Sequence, residues 1–216
     1  MPDYADYATR LKTILHLRRE PVSVSFIPNS QPLPQGFDTP PNRRYCQVLM
    51  EAGEGQRVLL TPETIACPAS AAALGFKPLP PKPRLEMGQY RAVAAAPLWE
   101  TSDAPDVVII ESLVEHLMWI ALASVRQTGG RLDLSTAILQ ATCVDGTILP
   151  FVSGRLNASL GCYGCREATD MEEGEAVLGF PAAMLGAIVE QIEALGERAM
   201  GRIRGKAVYR ALQGRA

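Results

Sequence analysis

The sequence predicts an α+β (mixed α/β) fold: a single domain over residues 1–216, with a central sheet flanked by helices. Three observations predict it. Short alternating or wholly apolar runs, Val22 to Phe26 and Asp106 to Glu111, have the period and composition of strands. Long stretches with apolar residues at helical spacing stand at both ends of the chain. The two kinds of segment do not alternate in the regular strand–helix–strand order of a parallel sheet.

Residues 4–19 form the first predicted helix. Leu11, Ile14, Leu15 and Leu17 make its apolar stripe; Arg10, Lys12, Arg18 and Arg19 make its polar face, and Pro21 ends it. Val22-Ser23-Val24-Ser25-Phe26 reads as a half-buried strand. Residues 28–42, with five prolines, are a loop. A helix over 43–53 carries Cys46 and stops at Gly53, and Val58-Leu59-Leu60 is a short strand. Thr61-Pro62-Glu63 has the form of a helix start, and Cys67-Pro68 opens a small-residue helix closed by Gly75. The proline-rich stretch 77–84 is extended and marks either a boundary between two lobes or a loop within the domain.

The run Asp106–Glu111 is a central strand, followed by a helix from Ser112 to Val125 that Gly129-Gly130 ends. Leu132 to Ala137 has strand character, a helix from about Leu139 carries Cys143, and Arg155 to Leu160 alternates and leads into Cys162. Ala176 to Phe180 is a strand, and Pro181 to Met200 is a long amphipathic helix.

Composition excludes several classes. Hydrophobic residues make up 47% and charged residues 20%, with a formal charge of −2. No clustered positive surplus marks a nucleic-acid partner, and the basic tail Arg198, Arg202, Arg204, Lys206, Arg210 and Arg215 reads as a solvated helix face. The N-terminus lacks the basic region of a signal peptide, and the apolar run Leu117–Val125 is far short of the ~20 residues a bilayer requires. A cytoplasmic, membrane-free protein is expected, in which thiols stay reduced.

The chemistry-bearing residues are the five cysteines, Cys46, Cys67, Cys143, Cys162 and Cys165. An odd number argues against a complete disulfide framework. In Gly161-Cys162-Tyr163-Gly164-Cys165-Arg166 a Cys-x-x-Cys pair can aim two sulfurs at one site. Gly161 and Gly164 would let backbone amides approach them, and Arg166 would offset negative charge. Cys67-Pro68 sets a thiol at a helix entrance. Soft sulfur donors of this number suit an iron–sulfur cluster, of the four-iron type, for electron transfer or for substrate binding at an open position. Zinc is the second metal reading, weakened by the single close pair. Thiol–disulfide exchange at Cys162 and Cys165 is the rival reading, although the charges of 166–173 do not suit a core helix. In a third, the cysteines fill the core of a metal-free small-molecule- or partner-binding protein. His16 and His116 sit in helices without ligand spacing, Glu111 and Glu115 do not make a secure acid pair, and Tyr163 is expected to pack. A redox partner protein or a small-molecule substrate follows from the cluster reading.

Several stretches together resemble the bacterial and archaeal domain-of-unknown-function 169 family. They are Pro21 to Phe26, Arg44-Tyr45-Cys46-Gln47 with Glu51 to Gly55, Ile65-Ala66-Cys67-Pro68 with Ala73 to Phe76, and Asn157 to Arg166 with Glu175 to Phe180. The resemblance implies that Cys46, Cys67, Cys143 and Cys162 stand at motif positions. It sets Cys165 apart, at a position where a small residue is common. It carries no reaction or substrate.

Overall fold

The computed structural model describes residues 2–78 and 83–214. Its centre is a six-stranded sheet in the order β2-β3-β1-β4-β6-β5, with every neighbouring pair antiparallel. The strands are β1 (Val22–Pro28), β2 (Val58–Leu60), β3 (Tyr90–Pro97), β4 (Val107–Leu113), β5 (Asn157–Ser159) and β6 (Glu175–Pro181). The helices are α1 (Tyr4–Leu15), α2 (Tyr45–Gly53), α3 (Pro68–Ala73), α4 (Val114–Thr128), α5 (Leu149–Ser153), α6 (Tyr163–Ala168), α7 (Leu185–Leu195), α8 (Gly201–Arg204) and α9 (Ala207–Leu212). A π-helix, Ala141–Ile148, precedes α5. The mixed helix-and-strand class is the one the sequence predicts.

β4 shows why two layers of helices are needed. Val107 and Ile109 enter one core with α2 and the π-helix, while Val108 and Ile110 enter the other with α1, α4 and α7. A strand apolar on both faces must be covered on both. β1 is likewise more deeply set than its Val/Ser alternation predicts. It lies between β3 and β4, and even Ser23 is buried, donating from Oγ to the Ala96 carbonyl at 3.1 Å.

Four boundaries differ from the sequence reading, each for a visible reason. α1 ends at Leu15, because His16 turns left-handed (φ 54°) and Leu17 folds back into the core. Arg19, predicted on a polar helix face, is therefore outside the helix and buried. Thr61–Ile65 makes a single turn and does not propagate. The Ala66 amide donates to Arg43 at 2.8 Å, which draws the chain into an extended bridge. Leu132–Ala137 is not a strand; Asn157 Oδ1 accepts from the Ser135 amide at 2.9 Å and Asp145 Oδ2 from the Ala137 amide at 3.0 Å, so side chains replace a ladder. Pro181 still pairs with Val107 in the sheet, which delays the last long helix to Leu185.

β3 matches no predicted element. Its Ala-Val-Ala-Ala-Ala centre has a single β-branched residue, Val93, among alanines, which strands disfavour. It is nonetheless fully paired, with β1 on one side and β2 on the other. Residues 79–82 of the proline-rich stretch and Arg215 of the basic tail lie outside the described residues. Among the described residues no helix is long and apolar enough to cross a membrane.

Candidate functional site: a thiol-lined cavity

All five cysteines line one cavity of about 620 Å³, and all are free thiols. Four separate chain segments bring them there. Cys46 lies in the first turn of α2, with its apolar neighbours Val48 and Leu49 anchoring the helix in the core. Cys67 is the residue before α3; Pro68, pre-set for helix, fixes the turn after it. Cys143 comes from the π-helix, and Cys162 and Cys165 open α6 directly after edge strand β5.

The π-helix follows from packing. Gly146 crosses β6 at Gly179, where a Cβ would meet the Gly146 oxygen at 1.7 Å. Thr147 Oγ1 donates to the Thr142 carbonyl at 2.7 Å and meets the buried Tyr45 hydroxyl at 3.1 Å. Such wide turns are frequent where a helix must present side chains to a site. Here the turn holds Cys143 and Thr142 at the cavity wall.

The two thiols of the pair touch, Sγ to Sγ 3.1 Å apart. Cys162 caps α6, its sulfur accepting from the Cys165 amide at 3.3 Å, and Thr142 Oγ1 lies 3.0 Å from Cys165 Sγ. The hydrogen bond with Cys165 and burial push the Cys162 thiol up, against backbone amides that favour the thiolate. For Cys165 the contact with Cys162 lowers the value. The hydrogen bond with Cys46 and burial outweigh it, and the net direction is upward. Burial raises Cys143, opposed by a hydrogen bond with Ser70. In the metal-free protein these thiols are therefore protonated at neutral pH.

That has a measurable consequence. Alkylation follows the thiolate. Iodoacetamide should label Cys143, Cys162 and Cys165 more slowly than free cysteine at pH 7, and the rates should still climb above pH 9. Peptide mapping after timed labelling checks this; a plateau reached by pH 8 would contradict the protonated state. Raised folded values also mean that stability from these groups is complete below the ordinary thiol value of 9.0 and is lost as pH rises beyond it.

The glycines and the arginine of the motif have other duties than the sequence suggests. Gly161 adopts φ +90°, and a Cβ there would press on Met171 Sδ at 3.1 Å and Arg166 Nε at 3.2 Å. Its role is in turning the chain. The Arg166 guanidinium donates to the carbonyls of Leu160, Glu172 and Glu175 at 2.7–3.0 Å and does not line the cavity. It clamps the Cys162 loop onto β6. Gly164 does line the cavity, in open contact with its neighbours. Tyr163, expected to pack, is 71% exposed. His116 Nδ1 bonds to Ser112 Oγ at 2.9 Å, and His16 Nε2 lies 3.0 Å from Arg204 Nη1, both away from the thiols.

Arg44, Ser70, Gln140 and Thr142 also line the cavity and were not singled out by sequence reasoning. Their signal was proximity, since each lies one to three residues from a cysteine. Among the described residues the lining holds no carboxylate, and no group of three or more His, Cys, Asp or Glu side chains is already drawn together at metal-binding spacing. A second depression of about 610 Å³ contains Lys12, Arg18, Glu20 and Asp170. Its cations are already matched, Lys12 with Glu20, Arg18 with Glu172 and Arg19 with Glu175, and its lining holds no Cys, Ser or His.

Fold and site thus define an antiparallel α+β protein with a cysteine-lined cavity on one face of its sheet. The chain belongs to the domain-of-unknown-function 169 family, described as an uncharacterised ArCR family, whose sequence profile matches residues 10–83 and 81–191. It is similar to the uncharacterized protein MJ0308 of Methanocaldococcus jannaschii, 24% identical over 214 residues, covering 86% of this chain and 92% of the relative. No solved structure gives a significant match.

Proposed function

We propose that the cavity binds an iron–sulfur cluster, of the four-iron type, for electron transfer or for holding a substrate at an open position. The observation that carries this is the meeting of five thiols from four distant segments in a carboxylate-free cavity. The donor set fits: soft sulfur with no hard oxygen acid selects iron–sulfur groups or zinc over magnesium and calcium. Cys46, Cys67, Cys143 and Cys162 would supply the four thiolates, with Cys165 beside them as the spare. The bound cluster would supply one-electron redox chemistry or a Lewis-acidic iron. The chain would shield the ligands from water and lower the cost of thiolate formation with the Cys165 amide at Cys162. Zinc is the weaker metal reading. The 3.1 Å pair would have to open to about 3.8 Å, the spacing that bonds of about 2.3 Å impose on a tetrahedral ion. A reducing cytoplasm suits five free thiols, and a redox protein or a small molecule, not a nucleic acid, is the partner.

One observation favours a second reading. A thiol pair in contact between a strand and a helix could close to a disulfide, passing two electrons and two protons to an acceptor. The raised thiols argue against fast attack by either sulfur.

Anaerobic purification or reconstitution with iron and sulfide tests the proposal. The expected protein is brown, with about four iron and four sulfide per chain for a four-iron cluster. Cys162→Ser should lose the iron and the visible band, while His116→Ala keeps both. Colourless, iron-free, folded protein after reconstitution would overturn the reading. A reversible Cys162–Cys165 disulfide in that protein would establish the rival.

A further inference from the structure

We propose that the thiol cavity contains an anion subsite built on Arg44, which takes the carboxylate of a small organic substrate and places it beside Cys162. This rests on the cavity being the working site, and not on a cluster being bound.

Arg44 is half-buried in the cavity wall, and among the described residues its guanidinium has neither an acid nor a hydrogen-bond acceptor. Arg43, also half-buried, is engaged with Glu51, and the buried Arg19 with Glu175. Arg44 is also the one charged side chain in the lining among the described residues, because the lining holds no Lys, Asp or Glu. A partly desolvated cation with no counter-charge is costly, and the cost falls when an anion enters. The position of that anion is given by Gly164. The point where a Cβ would stand on Gly164 is 3.8 Å from Arg44 Nη1, 3.8 Å from Leu139 Cδ2 and 4.0 Å from Cys162 Sγ. With no side chain at Gly164, a small group can lie over its Cα at non-bonded distance, between the Arg44 guanidinium, the Leu139 side chain and the Cys162 sulfur.

The ligand class follows from the charge and shape. One planar guanidinium matches one carboxylate, which it can grip by two parallel hydrogen bonds. A phosphate dianion calls for more cations or a nest of amides than this wall supplies. The Gln140 side chain, also in the lining, offers an amide for a second polar group, and Leu139 and Pro68 suit a short apolar body.

Paired alkylating reagents test this on the reduced, metal-free full-length chain. Iodoacetate and iodoacetamide react alike: a thiolate sulfur forms a bond to carbon, and iodide leaves with the electron pair. They differ in that only iodoacetate carries a carboxylate. Relative to free cysteine, iodoacetate should be favoured over iodoacetamide by about tenfold at Cys162 or Cys67, with a rate that saturates. Arg44→Gln should reduce the reagent ratio to the free-cysteine value, and Arg44→Lys should keep part of it. The ratio cancels any change in thiol reactivity itself. Gly164→Ala places a methyl in ordinary contact distance of its neighbours, so it should fold and yet lose the preference. Acetate should compete with iodoacetate in the wild type, and equal competition by inorganic phosphate would reject the carboxylate assignment. A ratio unchanged by Arg44→Gln, or iodoacetate labelling that is linear in concentration, overturns the subsite. Iron content decides the cluster separately, because the labelling is done without metal.

Discussion

Arg19→Met is expected to lower stability at pH 7 by about 3–5 kcal/mol, a large share of the ~5–15 kcal/mol that holds a domain together. Arg19 and Glu175 are each only 5% exposed at the side chain, and Arg19 Nη1 lies 3.0 Å from both Glu175 oxygens. A second guanidinium nitrogen donates to the Asp170 carbonyl at 2.8 Å. Methionine fills comparable space but leaves Glu175 buried without its cation. Burial alone would raise the Glu175 carboxyl. The Glu172 amide and Arg19 overcome that and hold it below its ordinary value. Burial also lifts Glu111 to about 7 even with Arg19 opposing it, so the loss of Arg19 exposes two acids to the same penalty. The pH dependence has a definite sign. A depressed carboxyl contributes stability above its ordinary value of 4.5 and loses it as pH falls. The gap between wild type and Arg19→Met should therefore be widest near neutrality and shrink below pH 4.5. Urea titrations across this range measure it, and adding Glu175→Gln should recover part of the loss. A pH-independent difference below 1 kcal/mol would show that the pair is not the buried support described.

Gly179→Ala should cost about 3 kcal/mol or more, at the upper end of overpacking effects. Gly179 lies in β6 without the positive φ that would itself demand glycine, so the constraint is space alone. The new methyl would fall 1.7 Å from a backbone oxygen, which cannot rotate aside as a side chain could. The π-helix must lift from the sheet, and Thr142 and Cys143 must move with it. A lower thermal midpoint together with faster alkylation of Cys143 is the expected pair of results. A wild-type midpoint would show that the helix does not rest on β6 as closely as described.

Gly179 supports the π-helix behind the cavity and Arg19 anchors the start of β6, and neither role is visible in the chain as written. Gly179 sits in an apolar run that reads only as a strand, and the oxygen it must avoid belongs to Gly146, in a different element. Arg19 follows a run of helical spacing, so local periodicity places it on a solvated face. A single left-handed residue, His16, ends that helix early and sends Arg19 to Glu175 instead. Arg166 shows the same limit. Its place beside a Cys-x-x-Cys pair suggested charge compensation, but three backbone carbonyls claim its guanidinium. The cavity's own cation is Arg44, set in the wall by the start of α2.

By itself the sequence determined the fold class, the two-faced central strand β4, the helix entrances at Cys67-Pro68 and the stop at Gly129, because these depend on periodicity and on the conformational limits of proline and glycine. It also singled out the five cysteines as the candidate chemistry-bearing residues, since residue type alone selects soft-donor and thiol reactions. Only the tertiary structure decided that thiols from α2, α3, the π-helix and α6 face one cavity. It alone decided that alanine-rich β3 is a strand and that 132–137 is not. Those outcomes depend on pairing between segments far apart in the chain, such as β1 with β3 and β4 with β6. Such pairing is decided by the fit of whole surfaces, and a local pattern reports only which side of an element is apolar, not what will cover it.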